Sequence, residues 1–551
     1  MHNCETNFLT DNNYYLFKVY VIKWQKNAEF EAMHCVFLCM LMSMILITHI
    51  CNTEVSEEFM PFETATIQDQ NSCKPQHVHI SFGDSINEVN IVWSTFGFCV
   101  CLVRYGTDPW RYEFRADANH TYFTTLNSRG LKHLYRVNLK GLHSAARYYY
   151  QIENDESTAG PFYFQVPPEG KDWSPDFLIF GDLGIHADTI NFLVNEALSG
   201  HYTALIHAGD LAYDMKDKEG LVGDYFMKEI EPMAAYIPYL TCPGNHEIDF
   251  GTFSHYRNRF SMPNTDWPIP IDKMWYSIDI GPVHVISYSS EVFFTNSGKH
   301  IEAQRRWLIE NLRNANNNRK TTPWIIAFGH RPLYCSTKIN DDCSLLSSEV
   351  RNGLEDIFTL LGVDLIIQAH EHNYERLWPL YQWNVLNYSY VNPDVPVQII
   401  TGAAGSIEGI DNFESYYHPN WSAFRLDSNA FNSYGRLLVV NHSHLFWEQR
   451  SINNHTTLDS IWIVKERPGP ESTTVPVTSR TYHGTKITTS TYVIALSISL
   501  GILLAVILLL FILRQFFRAR RIKLFLSQCR PEDSWPVPYS NFSSPEEEEN
   551  L

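Results

Sequence analysis

Five short apolar stretches of the sequence each end in a small residue, and a side chain able to bind metal follows at once. The stretches span residues 177–184, 204–213, 239–247, 324–330 and 365–372. Two aspartates, a tyrosine, an asparagine and three histidines hold these positions: Asp182, Asp210, Tyr213, Asn245, His330, His370 and His372. Oxygen donors combined with imidazoles suit iron, manganese or zinc, whereas copper sites typically use thiolates.

Seven donors are too many for one tetrahedral ion, and they suggest two ions that share a bridging carboxylate. A pair of metals can clamp the attacking and leaving oxygens of an in-line displacement at phosphorus. One ion also lowers the pKa of a bound water, so that hydroxide is available below neutral pH. The donor set therefore predicts the hydrolysis of a phosphoester.

The elements that must position these donors are buried strands, because continuous apolar runs of this length fit strands covered on both faces. Helix-length segments lie between the runs, at residues 189–198, 224–236, 302–314 and 348–361. Their alternation predicts a layered α/β domain over residues 174–465, with two stacked mixed sheets and helices outside. Side chains that follow the carboxyl ends of neighbouring strands meet in one crevice.

Three further stretches bear on these sheets. Residues 275–288 predict a hairpin that turns at Gly281-Pro282, and residues 397–401 and 436–440 predict strands that extend the sheets. In front of this domain, residues 73–168 contain short β-branched and aromatic runs separated by Asn, Gly, Asp and Pro. That spacing predicts an antiparallel, fibronectin III-like β-sandwich, and its lack of a reactive cluster favours a packing or docking role.

The composition describes a globular chain of more than one domain, with 551 residues, of which 44% are hydrophobic. The formal net charge of −19 argues against nucleic acid as a partner. Eleven cysteines without a Cys-x-x-Cys pair argue against a cysteine zinc site and a disulfide scaffold. Cys335 and Cys343 lie in one polar loop and form the candidate disulfide, with burial as free thiols as the alternative.

Both ends of the chain predict passage through the secretory pathway. Residues 1–55 resemble an extension and signal peptide with an apolar core at 35–47, which could start at Met1 or Met33 or remain as an anchor. Residues 466–490 have the composition of a Ser/Thr/Pro stalk. Residues 491–513 are uncharged and long enough for a transmembrane helix, and the arginines after it place residues 514–551 in the cytoplasm.

This topology makes the chain a type I membrane protein with a lumenal or extracellular catalytic domain, at the plasma membrane or in the endolysosomal system. Glycosylation sequons on the predicted lumenal side agree with it. They lie at Asn119, Asn387, Asn420, Asn441 and Asn454. Neither the oligomeric state nor the natural substrate follows from the sequence.

The five stretches resemble, in order and spacing, the motifs of the purple acid phosphatases, a branch of the calcineurin-like metallophosphoesterases. The family pattern is GDxG, GDxxY, GNH(D/E), VxxH and GHxH. The chain has Gly-Asp182-Leu-Gly184, Gly-Asp210-Leu-Ala-Tyr213, Gly-Asn245-His246-Glu, Ala-Phe-Gly-His330 and Ala-His370-Glu-His372. With the β-sandwich in front, the resemblance covers roughly residues 73–450 and favours the animal form.

The resemblance implies a role for each donor. Asp182, Tyr213 and His372 would hold Fe(III). Asn245, His330 and His370 would hold a divalent metal, either Fe, Zn or Mn, and Asp210 would bridge the two. His246 would contact the phosphate or protonate the leaving group. Hydroxide held by the metals would then attack a phosphate monoester.

One departure from the family pattern concerns the proton donor. Plant members carry two histidines nine to ten residues after the His330 position, where this chain has Ile339 and Asn340, followed by Asp341 and Asp342. Either aspartate could supply a proton, although solvated loop carboxylates are the expectation. Two other functions stay open: a phosphodiesterase or nucleotide pyrophosphatase on the same scaffold, and a non-catalytic cell-surface binding protein.

Overall fold

The structure is a computed structural model that describes residues 73–123, 132–185, 187–249, 251–295, 298–338, 341–414, 416–426, 432–452 and 456–466. The predicted signal peptide, stalk, transmembrane helix and cytoplasmic tail lie outside these residues. Within the described ranges, no helix has the length and apolar character needed to cross a membrane.

The first part of the described chain, residues 76–165, folds into two antiparallel four-stranded sheets. Their strands are β1 (Gln76–Phe82), β2 (Val89–Thr95), β3 (Leu102–Gly106), β4 (Phe114–Asp117), β5 (Asn119–Phe123), β6 (Lys132–Leu139), β7 (Arg147–Glu153) and β8 (Thr158–Gln165). The strand orders are β1-β2-β6-β5 and β4-β3-β7-β8. Alternate residues of both sheets, among them Trp93 and Tyr150, share one buried core, as expected for a sandwich.

The sequence predicted five of these eight strands and missed β4, β5 and β8. The four residues of β4 and most of β5 are exposed or only partly buried, so these strands lack the apolar alternation that marks a strand. Strand β8 begins with Thr-Ala-Gly-Pro, which has the composition of a turn.

The second part contains two larger mixed sheets. The first is built from β9 (Asp176–Phe180), β10 (Ala204–His207), β11 (Tyr239–Thr241), β21 (Ser433–Asn441), β22 (His444–Ser451) and β23 (Thr457–Val464). The second is built from β12 (Tyr276–Ile280), β13 (Val283–Ser287), β14 (Trp324–Phe328), β15 (Leu365–Gln368), β16 (Tyr374–Leu377), β19 (Val397–Thr401) and β20 (Ser422–Leu426). A small ribbon joins β17 (Leu380–Tyr381) to β18 (Asn384–Val385).

The strand orders place the donor-bearing strands side by side. In the first sheet the order is β11-β10-β9-β21-β22-β23, and β9, β10 and β11 are parallel. In the second the order is β12-β13-β14-β15-β19-β16-β20, with β13, β14, β15 and β19 parallel. The sheets face each other, since Thr401 Oγ1 donates a hydrogen bond of 3.2 Å to Gln449 Oε1 between them. The predicted layers, hairpin and added strands are confirmed.

Helices flank these sheets at the positions that the sequence predicts. They are α1 (Ala187–Ala197), α2 (Asp217–Ala234), α3 (Ser254–Arg259), α4 (Gly298–Asn317) and α5 (Glu349–Leu360). In α5 the Ser348 hydroxyl accepts the backbone N–H of Arg351, so a side chain caps the first turn. The buried face of this helix, including Leu354 and Phe358, packs into the core of the second sheet.

Two disulfide bonds lie in the described part of the chain. The bond between Cys335 and Cys343 confirms the predicted pairing and rules out the free thiols. The bond between Cys73 and Cys99 was not predicted, because these residues are 26 positions apart and only the sandwich fold brings them together. Cys101 and Cys242 are buried free thiols.

The sandwich is fastened to α2 and α3 by a buried charge cluster. Asp224 of α2 pairs with Lys132 of β6 and, at 2.8 Å, with Arg259 of α3. Tyr150 also donates a hydrogen bond of 2.6 Å to the carbonyl of Ala235, directly after α2. Burial alone would raise the pKa of Asp224, but Arg259 and Lys132 hold that pKa well below its usual value. The carboxylate is therefore ionised at neutral pH.

Replacement of Asp224 by asparagine should reduce the free energy of unfolding by about 3–5 kcal/mol, since it leaves two buried cations without their counter-ion. The wild-type carboxylate has a depressed pKa in the folded state, so its contribution is complete above the unfolded pKa of about 4 and is lost as the pH falls further. Denaturation at pH 7 and pH 3 should show the two proteins converging in acid.

Asp266 supplies the matched control, because its carboxylate is 77% exposed and lies 3.9 Å from Lys273. Asp266→Asn should change stability by less than about 0.5 kcal/mol. Equal stability of Asp224→Asn and wild type at pH 7 would contradict the role of the cluster.

Candidate metal centre

The predicted donors follow the strand ends of both larger sheets, where the backbone turns sharply. Asp182 follows β9, Asp210 follows β10, and His370 follows β15. All three have left-handed φ angles, of 57°, 48° and 71°, as does Tyr213 with 55°. Such backbone is uncommon for residues other than glycine, and its concentration here marks the strand ends as a built site.

Glycine at two neighbouring positions allows the donors to approach the backbone. A Cβ atom on Gly244 would lie 2.2 Å from Asp210 Oδ1, and one on Gly209 would lie 2.5 Å from His330 Nδ1. Gly209 also has a φ of 83°, which disfavours any other residue. The glycines of the second and third motifs are therefore needed to seat Asp210 and His330.

One half of the site consists of Asp182, Tyr213 and His372. The Tyr213 hydroxyl lies 2.8 Å from His372 Nε2 and 3.4 Å from Asp182 Oδ1. His372 Nε2 is also 3.5 Å from Asp182 Oδ1. All three residues are buried. A carboxylate, a phenol and an imidazole thus meet at one point.

The other half surrounds His330 Nε2. This atom lies 3.0 Å from Asn245 Oδ1, 3.1 Å from His370 Nδ1 and 3.1 Å from Asp210 Oδ2. The opposite ring nitrogen, Nδ1, lies 2.9 Å from the carbonyl oxygen of Ala208 and donates to it when protonated. That bond leaves Nε2 of the neutral ring as an acceptor, so all four atoms can present lone pairs to a shared cation.

The carboxylates around the site strongly favour positive charge. Burial opposes ionisation of His330, yet Asp210 and Asp182 raise its pKa to about 10. Burial likewise opposes ionisation of His372, but Asp182 and Asp411 raise its pKa to about 9. Burial raises the pKa of Tyr213, and Asp182 and Asp210 add to the effect. This excess of negative charge fits bound metal cations.

Glu247 supports the bridging position from behind. Its carboxylate accepts the backbone N–H groups of Asp210 at 3.0 Å, Leu211 at 2.9 Å and Gly244 at 2.8 Å. The side chain is 2% exposed. The expectation that Glu247 forms hydrogen bonds within its own loop is confirmed, and these bonds also join the second motif to the third.

His246 lies beside the donors on the solvent side. Its backbone N–H donates to Asp210 Oδ1 at 2.9 Å, and its Nδ1 lies 3.2 Å from Asp214 Oδ2. Nε2 lies 4.0 Å from Asp210 Oδ2 and 3.4 Å from Glu408 Oε1. Burial opposes ionisation, but Asp214 and Asp210 raise the pKa of His246 to about 9. The imidazole can therefore donate a proton or hydrogen bond above the donors.

A cavity of about 280 Å³ opens over the site. Its lining residues are Asp210, Asn245, Asp341, His370, Glu371, His372, Glu408 and Asp411. The sequence missed Glu408 and Asp411, which belong to the loop after β19, because that loop carries no motif. Asp411 accepts the backbone N–H of His372 at 2.7 Å.

The expectation of solvated aspartates was wrong for Asp341, whose carboxylate lies at His370 with 27% exposure. Asp342 faces away from the donors and accepts the backbone N–H of Glu349 at 2.8 Å, at the start of α5. Ile339 and Asn340 lie outside the described residues.

Family models match three consecutive parts of the chain. Residues 75–176 match the purple acid phosphatase N-terminal domain, residues 175–374 the calcineurin-like phosphoesterase, and residues 395–460 the iron/zinc purple acid phosphatase-like protein C. Over 422 residues the chain is 39% identical to acid phosphatase type 7 of Danio rerio, which covers 72% of this chain and 93% of the relative. The chain belongs to the purple acid phosphatase family.

The family membership agrees with two further likenesses. Acid phosphatase type 7 of Homo sapiens is 39% identical over 411 residues, covering 72% of this chain and 92% of the relative. The structure of a purple acid phosphatase from yellow lupin seeds superimposes with a TM-score of 0.60 at 21% identity, over 71% of this chain and 74% of that one, so the fold is shared. As a member of the family, the protein is a metallophosphoesterase that hydrolyses phosphoesters.

Proposed function

We propose that this purple acid phosphatase family member hydrolyses phosphate monoesters at a dinuclear centre of Fe(III) and a divalent Fe, Zn or Mn. The observation that carries the proposal is the convergence of seven donors from the strand ends of two sheets. Asp182, Tyr213 and His372 would hold the trivalent ion. The divalent ion would be held by Asn245, His330 and His370, with Asp210 between the two.

When bound, the metal pair supplies the Lewis acidity that phosphoester hydrolysis requires. The chain's own residues position the substrate and manage the proton. Asp214 fixes the His246 ring through Nδ1, which turns Nε2 toward the cavity above Asp210. His246 Nε2–H then donates to the phosphate or to the oxygen of the leaving group.

The shape of the cavity favours monoesters over diesters. At about 280 Å³ it accommodates a phosphoryl group, and Asp341, Glu408 and Asp411 stand along its lining. The second arm of a diester would have to pass these carboxylates and displace their solvation. This argument ranks the monoesterase above the phosphodiesterase or nucleotide pyrophosphatase.

We propose that the catalytic part, residues 174–465 preceded by the sandwich at 73–168, works outside the cytoplasm on a membrane anchor at 491–513. Three sequon residues, Asn119, Asn420 and Asn441, are exposed and open to glycosylation. The span itself rests on the uncharged run and its basic flank.

A fractionation and activity assay on the full chain tests both proposals. Carbonate-washed membranes loaded with iron and zinc should release phosphate from p-nitrophenyl phosphate, with a maximum below pH 7 and kcat/KM at least tenfold above that for the bis ester. A preference for the bis ester would favour the phosphodiesterase. Phosphate release only above pH 8, or none after metal loading, would contradict the acid phosphatase, and activity lost in the wash would contradict the anchor.

A further inference from the structure

Asp341 stands against the outer edge of a proposed metal ligand. One of its carboxylate oxygens, Oδ2, makes a short hydrogen bond with His370 Nε2. The other, Oδ1, lies 3.5 Å from the Arg331 guanidinium. The carboxylate is thus held from two sides at the mouth of the cavity, although the sequence around it resembles an ordinary polar loop.

The loop that carries Asp341 is itself held in place. The Cys335–Cys343 disulfide closes it into a ring that spans residues 335–343. Arg331, which precedes the ring, is fixed by an ion pair of 2.9 Å with the fully buried Glu291. Asp342, next in the chain, is tied to the start of α5. These restraints keep the Asp341 carboxylate in reach of His370 without requiring it to bind metal.

The two nitrogens of His370 face different surroundings. Nδ1 lies 3.1 Å from His330 Nε2 and points into the donor set. Nε2 points outward, toward Asp341 Oδ2 and, at 2.9 Å, toward Arg331 Nη1. These two partners make opposite demands, because a carboxylate needs Nε2–H as donor whereas the guanidinium needs a bare Nε2 as acceptor.

Use of His370 as a ligand resolves this conflict. A neutral imidazole that binds metal through Nδ1 carries its proton on Nε2, so that nitrogen donates to Asp341 and cannot accept from Arg331. Metal-binding histidines commonly donate their other N–H to a carboxylate, which fixes the ring and increases its basicity. Arg331 then serves the carboxylate through its ion pair with Asp341.

We propose that Asp341 is a positioning residue that selects the Nε2–H form of His370 and holds its Nδ1 toward the divalent metal. The inference deepens the proposed function and rests on His370 being a ligand there. It assigns to this loop carboxylate a role in metal retention, in place of proton donation to the leaving group.

Release of the divalent metal to a chelator measures this role independently of activity. Full-length protein, solubilised in detergent and loaded with iron and zinc, is mixed with excess dipicolinate, and zinc loss is followed by elemental analysis. Asp341→Asn and Asp341→Ala should lower zinc affinity by about 10- to 100-fold, with alanine the more severe because it also removes the acceptor. The iron content and visible absorption band should stay, since Asp182, Tyr213 and His372 are untouched.

Glu408→Gln is the matched control, because it removes one negative charge from the same cavity while contacting His246 and none of the proposed ligands in the contacts described above. Zinc affinity of this variant should remain within about twofold of wild type. An equal loss in both variants would show a general charge effect and overturn the proposal.

Two other outcomes are decisive. Unchanged zinc affinity in Asp341→Ala, with activity lost only on substrates with poor leaving groups, would make Asp341 a proton donor and overturn the positioning role. A wild-type protein that retains neither metal would refute the proposed function itself, whereas a wild type that holds both metals, with variants that hold them equally well, would refute only the inference. Circular dichroism confirms that each variant is folded.

Discussion

Replacement of Asp210 by asparagine should lower phosphatase activity by at least about a thousandfold. Metal ions contribute several kcal/mol to transition-state stabilisation, and about 1.4 kcal/mol corresponds to each factor of ten in rate. Asp210 is 1% exposed, and its Oδ2 lies 3.1 Å from His330 Nε2 while Oδ1 accepts the N–H of His246. The amide keeps the size of the side chain but removes the charge that a bridging ligand needs.

The measurement combines the rate of p-nitrophenyl phosphate hydrolysis with elemental analysis of the purified protein. Both metals should be depleted, while the amount of folded, secreted protein stays near that of wild type. Asp155→Asn, at an exposed position of the sandwich, is the matched control and should retain full activity. Activity within tenfold of wild type in Asp210→Asn would refute the assignment of the site.

Replacement of Tyr213 by phenylalanine should abolish the purple colour of the iron-loaded protein. A phenolate bound to Fe(III) gives a charge-transfer band in the visible, and Tyr213 is the phenol that lies within 2.8 Å of His372 Nε2 and 3.4 Å of Asp182 Oδ1. Loss of this ligand should also favour the reduced ion, because an anionic oxygen donor stabilises the trivalent state. We therefore expect faster reduction by ascorbate and at least about a tenfold loss of activity.

Visible absorption spectra before and after ascorbate test this expectation. Tyr122→Phe changes a tyrosine that is 64% exposed on the sandwich, and it should leave the spectrum unaltered. A persistent band in Tyr213→Phe, or a colourless wild type that is active without iron, would show that Tyr213 is not the iron ligand.

The seven proposed ligands and the fold that carries them could be predicted from the sequence because their signals are local. Each strand is a continuous apolar run, and each donor follows within a few residues of its end. Parallel strands end at the same edge, so local patterns alone indicate that Asp182, Asp210 and Asn245 meet. The Cys335–Cys343 bond is local in the same sense, since it closes a short loop.

Tertiary structure decided what depends on residues far apart in the chain. Asp341 was predicted to be solvated because a loop aspartate has no local partner, and only the packing of its ring against β15 places it at His370. Glu408 and Asp411 enter the cavity from a loop without periodicity, and Asp224 meets Lys132 across 92 positions. Contacts of this kind are set by how layers stack, and they leave no periodic trace in the sequence. The donors were therefore readable from strand ends, whereas the carboxylates that orient them became visible only once the sheets and loops were assembled.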